Sequence, residues 1–342
     1  MLEAFVQPMT ALLTAMITTP LSIFADVFAS RPKPVKTGTQ KHYYRSNFSC
    51  KIYVPSRYQQ AESLPLVVML HGCTQDMDDF SQGTQMDKLA EEHTFLVLYP
   101  EMNMLANPKR CWNWFYDYNQ HRGLGEPAII KGMVDFVKRR YRVAEDQVYV
   151  AGLSAGGSMS AILAVTYPDV FSAVGIVAGV GYGAATDVRE GLSVMKRGNE
   201  NIKALAKKAY SEMGQYRRRV PAMIIHGEAD RVVNPINADQ LAAQWTSVAN
   251  LLRTRGEEAE GQEPPVDTTA GEMGGRRYTK SVYYDNHGVP IVEKWRIAGL
   301  GHAWPGGSAD GTHTDARGPE ASRLLWHFFA HSRQSDRERC ML

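Results

Sequence analysis

Cysteine is scarce in this chain: four in 342 residues, at positions 50, 73, 111 and 340. That is too few for a disulfide framework, and no pair has the C-x-x-C spacing of a zinc site. One disulfide is compatible with the set in an oxidising compartment, and Cys340, in a polar tail, reads as free. Excess charge of either sign is missing too. The net charge of +2 removes any charge-based argument for a nucleic-acid partner or a membrane surface. The basic cluster Arg217-Arg218-Arg219 directly precedes a strand-like segment. It reads as a solvated helix end, where cations suit the dipole.

A long apolar run is also lacking. Residues 4–25 carry no charge, but Pro8, Pro20 and five threonines and serines interrupt them. A spanning helix needs about 20 consecutive, mostly apolar residues. Residues 9–17 resemble the short apolar core of a secretion signal, and Val27-Phe28-Ala29 suits the position before a cleavage point. Yet no Lys or Arg precedes Arg31, so the usual positive leader is absent. A secretion signal and a peripheral amphipathic helix both remain open for this segment. Residues 30–40, with Pro32 and Pro34, read as a linker. The expected organisation is an N-terminal segment over 1–40, one large domain over 41–332 and a polar tail over 333–342.

What is present is an ordinary globular composition, 44% hydrophobic and 22% charged, with short apolar runs alternating with helix-like ones. The strand-like runs are 50–54, 66–70, 95–99, 148–151, 174–177 and 222–225. A further pair, 281–284 and 292–297, is joined by the turn Asp285-Asn286-His287-Gly288. Helix-like runs fall at 84–93, 126–141, 156–167, 202–215, 237–252 and 319–330. Such alternation predicts an α/β fold: a mostly parallel, twisted sheet with helices on both faces and ligands at the carboxyl ends of the strands. Residues 253–280 break the pattern. They are acidic and proline-bearing, then glycine-rich, and read as a mobile surface insertion. No internal repeat is visible.

The most telling stretch is Gly152-Leu153-Ser154-Ala155-Gly156, between a β-prone run and a helix-permissive one. A G-x-S-x-G motif in that context holds a serine on a sharp strand-to-helix bend, its hydroxyl aimed out of the sheet. The bare pattern recurs by chance in ordinary glycine-rich turns, and its context is what singles it out. A serine nucleophile needs a base and a group to orient that base. In the α/β-hydrolase order the acid and the histidine follow the serine. Asp230, in His226-Gly227-Glu228-Ala229-Asp230 after a strand, is the expected acid, with Glu228 and Asp239 as competitors and a turn-capping role as the bland alternative. His302, flanked by glycines in Gly299-Leu300-Gly301-His302, is the expected base; His226, His287 and His313 sit in weaker contexts. The developing oxyanion needs donors. The amide of Ala155 and that of Cys73, in Leu70-His71-Gly72-Cys73-Thr74-Gln75, are the expected pair, with His71 bracing the loop.

Four motifs in this order carry a specific resemblance: His71-Gly72-Cys73-Thr74-Gln75, Cys111-Trp112-Asn113-Trp114-Phe115, Gly152-Leu153-Ser154-Ala155-Gly156-Gly157 and Gly301-His302-Ala303-Trp304-Pro305-Gly306-Gly307. The chain resembles the polyhydroxybutyrate depolymerase family of esterases, which also includes feruloyl and acetylxylan esterases. The similarity runs from about residue 42 to 331 and includes Gly318-Pro319-Glu320-Ala321-Ser322, which opens the last helix. It implies the α/β-hydrolase fold and a serine esterase with nucleophile Ser154, acid Asp230, base His302, and oxyanion donors Cys73 and Ala155. It also implies a disulfide between Cys73 and Cys111. With that pair, it favours a secreted or periplasmic location. The first 40 residues lie outside the resemblance, and the 253–280 insertion bears on access to the site.

The expected substrate is a polyhydroxyalkanoate or another polyester, with a feruloylated or acetylated polysaccharide as the alternative; no metal or cofactor is needed. Trp304, Trp112 and Gln75 are the expected substrate contacts. Core packing accounts for at least half of the aromatic cluster Trp112, Trp114, Phe115, Tyr116 and Tyr118. No long helical lid is evident between residues 179 and 220. Gly181 to Ala185 and the helix after them are placed to form a small cap, and an open cleft is expected. Two competing classes are an acyltransferase, which would hand the same acyl group to an alcohol, and a non-catalytic binding protein on the same fold.

Overall fold

The structure, a computed structural model, describes residues 36–44, 48–59, 62–257, 266–285 and 287–340, with side chains as far as Ser332. Both readings of the N-terminal segment, and the state of Cys340, lie outside that description. Thr37–Leu342 form one compact unit.

Ten strands make one sheet. They are β1 (Gly38–Tyr44), β2 (Phe48–Val54), β3 (Leu64–Leu70), β4 (Leu96–Glu101), β5 (Val143–Leu153), β6 (Ala173–Val177), β7 (Ala222–Gly227), β8 (Val266–Met273), β9 (Arg276–Tyr284) and β10 (Pro290–Ile297). Their spatial order is β1-β2-β4-β3-β5-β6-β7-β10-β9-β8. The strands β4-β3-β5-β6-β7-β10 run parallel, and antiparallel pairs finish both edges. Every residue of β6 and β7 is buried. Strands covered on both faces read as unbroken apolar runs rather than alternating ones, which is why these segments stand out in the sequence.

The helices are α1 (Met77–Thr84), α2 (Met86–His93), α3 (Gly125–Arg140), α4 (Ala155–Thr166), α5 (Val188–Arg197), α6 (Ile202–Glu212), α7 (Ile236–Arg253) and α8 (Ala321–Cys340). All twelve residues of α4 are buried, as expected of a helix apolar on every side. On another part of the core, Phe329 of α8 stacks on Tyr149 of β5 at 4.7 Å. Two short strands, β11 (Trp304–Pro305) and β12 (Thr314–Asp315), pair by themselves. Among the described residues no helix is long and apolar enough to cross a membrane.

Four expectations are corrected. Gly38–Gln40 belong to β1 rather than to a linker: the strand pairs with β2 along its whole length, but as an edge strand with intermediate or exposed side chains it carries no apolar signature. The single helix expected over 84–93 is two, because Gln85 takes a left-handed φ of 54°. The described residues of the 253–280 stretch are not a mobile insertion. Arg253 completes α7, and β8 and β9 extend the sheet edge. Gly274 and Gly275, with φ of +57° and +75°, form the two-residue connection between them, a hairpin turn that requires positive φ. β8 is exposed along nearly all its length, so its sequence shows no buried face. The polar tail is also helical, α8 continuing as far as Cys340.

Candidate active site

Ser154 sits between β5 and α4 at φ 57°, ψ −117°, a strained conformation for a residue with a side chain. The surroundings enforce it. The backbone of Leu70 passes so close that a Cβ on Gly156 would lie 2.1 Å from the Leu70 carbonyl oxygen. The Ser154 amide donates to Val177 O at 2.8 Å, and Ser158 N returns a bond to Ser154 O at 2.9 Å. Ala155 opens α4, so its amide has no acceptor within the helix.

The loop after β7 carries Asp230 and the loop after β10 carries His302. His302 Nδ1 lies 2.7 Å from Asp230 Oδ2. The other carboxylate oxygen accepts from the amides of Val232 (2.8 Å) and Val233 (2.9 Å). Burial of the Asp230 carboxyl favours its neutral form. The bonds from His226, His302 and the Val233 amide outweigh that and hold it well below the usual carboxylate range. An ionised, fixed carboxylate orients the imidazole so that Nδ1 carries the proton and Nε2 is left as the base. His226 is buried beside the pair, with Nε2 2.9 Å from Val233 O and 3.4 Å from Asp230 Oδ2. It is part of the brace, a role its strand-end position gave no hint of. The competitors fall away: Glu228 is exposed, and Asp239 pairs with Lys294 and Arg296.

The loop after β3 is pinned at each residue. His71 is fully buried, its Nδ1 2.8 Å from Gly72 O, while its Nε2 accepts from Met102 N at 3.1 Å. Nδ1 must donate and Nε2 must accept, so the ring is neutral; burial agrees, pushing it down to about 4. Gly72 N donates to Gln75 Oε1, and Gln75 Nε2 donates to Asp79 and to Thr312 O. Cys73 is joined to Cys111 by a disulfide, with Cα atoms 4.2 Å apart.

Ser154, Ala155, His302, Cys73 and Cys111 open on one cavity of about 390 Å³. Its aromatic residues are Trp114 and Phe115, and α5 supplies Val188, Gly191, Leu192 and Met195. Of the expected small cap, α5 walls the cavity and no residue of Gly181–Ala185 lines it. The three expected substrate contacts do not reach it. Trp304 is 1% exposed, edge-on to Phe80 and bonded to Ser322 Oγ. Trp112 is equally buried, against His71. Gln75 spends its amide on bracing Gly72. Both tryptophans are more valuable as core than as surface, and neighbours at one or two positions' distance point the other way. The α5 wall was readable: Val188, Gly191, Leu192 and Met195 recur at helical spacing. Among the described residues no group of three or more His, Cys, Asp or Glu is placed to hold a metal ion.

The sheet order, the serine bend and the loops at the carboxyl ends of β3, β5, β7 and β10 define an α/β-hydrolase. Within that class the chain belongs to the Esterase PHB depolymerase family, whose model matches residues 48–264. It is similar to poly(3-hydroxyalkanoate) depolymerase C of Paucimonas lemoignei, 34% identical over 245 residues, 70% of this chain and 55% of that protein. It thus spans about half the length of that relative. Feruloyl esterase B of Thermothelomyces thermophilus is 30% identical over 220 residues, 61% of this chain and 73% of its own. An acetyl xylan esterase structure from Aspergillus awamori shares the fold with a TM-score of 0.63 at 22% identity, covering 78% of this chain and 94% of its own.

Proposed function

We propose that the chain hydrolyses carboxylic esters through an acyl-enzyme on Ser154, with aliphatic hydroxyalkanoate polyesters or their fragments as substrates. The observation that carries this reading is the Asp230–His302 bond, 2.7 Å long, opening on the cavity that Ser154 lines. His302 Nε2 takes the Ser154 proton as Oγ attacks the ester carbonyl. The amides of Cys73 and Ala155 receive the oxyanion. His302 then protonates the leaving alkoxide. Water, deprotonated by the same imidazole, releases the acid and restores the serine. Asp230 stays ionised throughout and stabilises the imidazolium.

The apolar wall of α5 suits an aliphatic acyl chain, and the depolymerase relative points the same way. A second reading is a feruloyl-type esterase. Trp114 and Phe115, with ring centroids 5.5 Å apart in the cavity wall, suit an aromatic acyl group. The disulfide suits an oxidising compartment.

The test combines Ser154→Ala with a substrate panel. The variant should lose roughly 10⁶-fold in kcat on p-nitrophenyl butyrate and should no longer label with a fluorophosphonate. Retained turnover or labelling would end the assignment. Polyhydroxybutyrate film, ethyl ferulate and acetylated xylan separate the substrate readings, and added acceptor alcohols expose any acyl transfer.

A further inference from the structure

Resting on that reading and sharpening its substrate, we propose that the disulfide side of the cavity binds the free carboxylate of a hydroxyacid chain, so that the enzyme cleaves ester bonds near carboxyl chain ends and in short oligomers. The cavity has two unlike sides. One is apolar, from α5 and from Val232 and Val233. The other gathers three polar residues from three separate segments: Thr74, Lys109 and His313.

These three are built into one corner. Thr74 Oγ1 lies 3.2 Å from His313 Nε2, and Thr74 N donates to Lys109 O at 2.7 Å. Thr74 and His313 both hold positive φ, 67° and 51°, which is costly for the β-branched Thr74. The adjacent Cys73–Cys111 disulfide ties the Thr74 and Lys109 segments together. The charge of the corner is one-sided. No Asp or Glu lines the cavity, and Lys109 has no ion-pair partner among the described residues. Its neighbour Arg110, by contrast, is held by Asp76 at 2.8 Å.

The two sides make different demands on a ligand. A neutral polysaccharide would leave the apolar wall unmatched, because that wall offers no side-chain donor or acceptor. A long neutral polyester would leave the cation unmatched. An oligomer of an aliphatic hydroxyacid with a free carboxyl end matches both: alkyl groups against α5, and the carboxylate against the Lys109 ammonium, beside a corner that Thr74 and His313 fix, Thr74 Oγ1 donating to Cys73 O at 2.6 Å and so accepting from His313 Nε2. In the reaction Ser154 Oγ bonds the ester carbonyl carbon, the carbon–oxygen bond to the carboxylate-bearing unit breaks, and that unit leaves as an alcohol protonated by His302. Water then releases the remaining acyl chain.

The experiment compares kcat/KM for the linear 3-hydroxybutyrate trimer as its free acid and as its methyl ester. An ion pair with an exposed lysine is worth up to about 1 kcal/mol, so the wild type should prefer the acid about three- to fivefold at low salt, and less at high salt. Lys109→Gln should bring the ratio to about one, and Lys109→Arg should keep it. An equal rate on acid and ester in the wild type, or a preference that survives Lys109→Gln, overturns the proposal and leaves the esterase reading standing. Failure of the wild type to hydrolyse p-nitrophenyl butyrate overturns both.

Discussion

Glu126, at the start of α3, receives two hydrogen bonds from Asn113, one from the backbone amide at 2.8 Å and one from the side-chain amide at 2.6 Å. Asn113 also accepts from Asn107 Nδ2, and its carbonyl accepts from Asn119 Nδ2, whose own side-chain oxygen takes the Glu126 amide. This closed network sets the loop that carries Cys111 into the disulfide and Trp114 and Phe115 into the cavity wall. Burial favours the neutral acid and overrides the bonds from Asn113, pushing the Glu126 carboxyl up to about 7.

That shift fixes a pH dependence of stability. Glu126 titrates at about 4.3 in the unfolded chain and higher in the folded one, so the folded state binds more protons between those values. Its contribution is fully present below the unfolded pKa and is lost as pH rises to about 7. The full loss is about 4 kcal/mol, at about 1.4 kcal/mol per unit, and about 3 kcal/mol of it falls between pH 4.5 and 7.5. Urea unfolding at pH 4.5 and 7.5 should show it in the wild type and not in Glu126→Gln. Equal pH slopes in the two proteins would refute it.

The disulfide bridges positions 38 apart in sequence. Loop-closure entropy for such a ring corresponds to about 4 kcal/mol. Reduction, or the Cys73→Ser/Cys111→Ser pair, should lower the melting temperature. It should also lower kcat on p-nitrophenyl butyrate more than it changes KM, because Cys73 supplies a proposed oxyanion donor. Both cysteines line the cavity, so a bound phosphonate should slow reduction by dithiothreitol. A reduced enzyme with unchanged kcat would remove Cys73 from the oxyanion site.

Asp230→Asn tests the orientation of the base. The amide would still accept from the Val232 and Val233 amides, so the loop should keep its shape. It would no longer stabilise the imidazolium or hold the proton on Nδ1 of His302. A drop in kcat of about 10⁴ is expected, with a melting temperature close to that of the wild type. A tenfold loss or less would mean that His226 or another group takes over the role.

The parts of the molecule legible in its sequence share a physical cause. β3, β5, β6 and β7 are buried on both faces and show as apolar runs, and Ser154 and Asp230 follow two of them, while His302 follows the half-buried β10. The parts that were not legible are exposed or cooperative. β1 and β8 are edge strands whose side chains largely meet water, so their pairing is carried by the backbone and leaves little trace in residue type. Trp304 and Trp112 stand next to site residues in sequence, yet both are buried away from the cavity. Which way a loop tryptophan turns depends on distant partners, Phe80 and Ser322 for one and His71 for the other.

Gly191 offers the most direct test of the α5 wall. A Cβ there would sit 3.0 Å from Phe115 Cβ and 3.4 Å from both Phe115 Cγ and Trp114 Cη2. Alanine would raise helix propensity by about 1 kcal/mol but press on the aromatic pair by a few tenths of an ångström. Valine adds two more methyl groups on the same face and has no room unless Phe115 moves into the cavity. One methylene in an apolar pocket is worth about 1–3 kcal/mol in discrimination. Gly191→Val should therefore lower kcat/KM for p-nitrophenyl octanoate at least tenfold relative to the acetate, with Gly191→Ala intermediate. A chain-length profile unchanged in both variants would show that the acyl chain does not lie against α5, and the aliphatic substrate reading would lose its structural support.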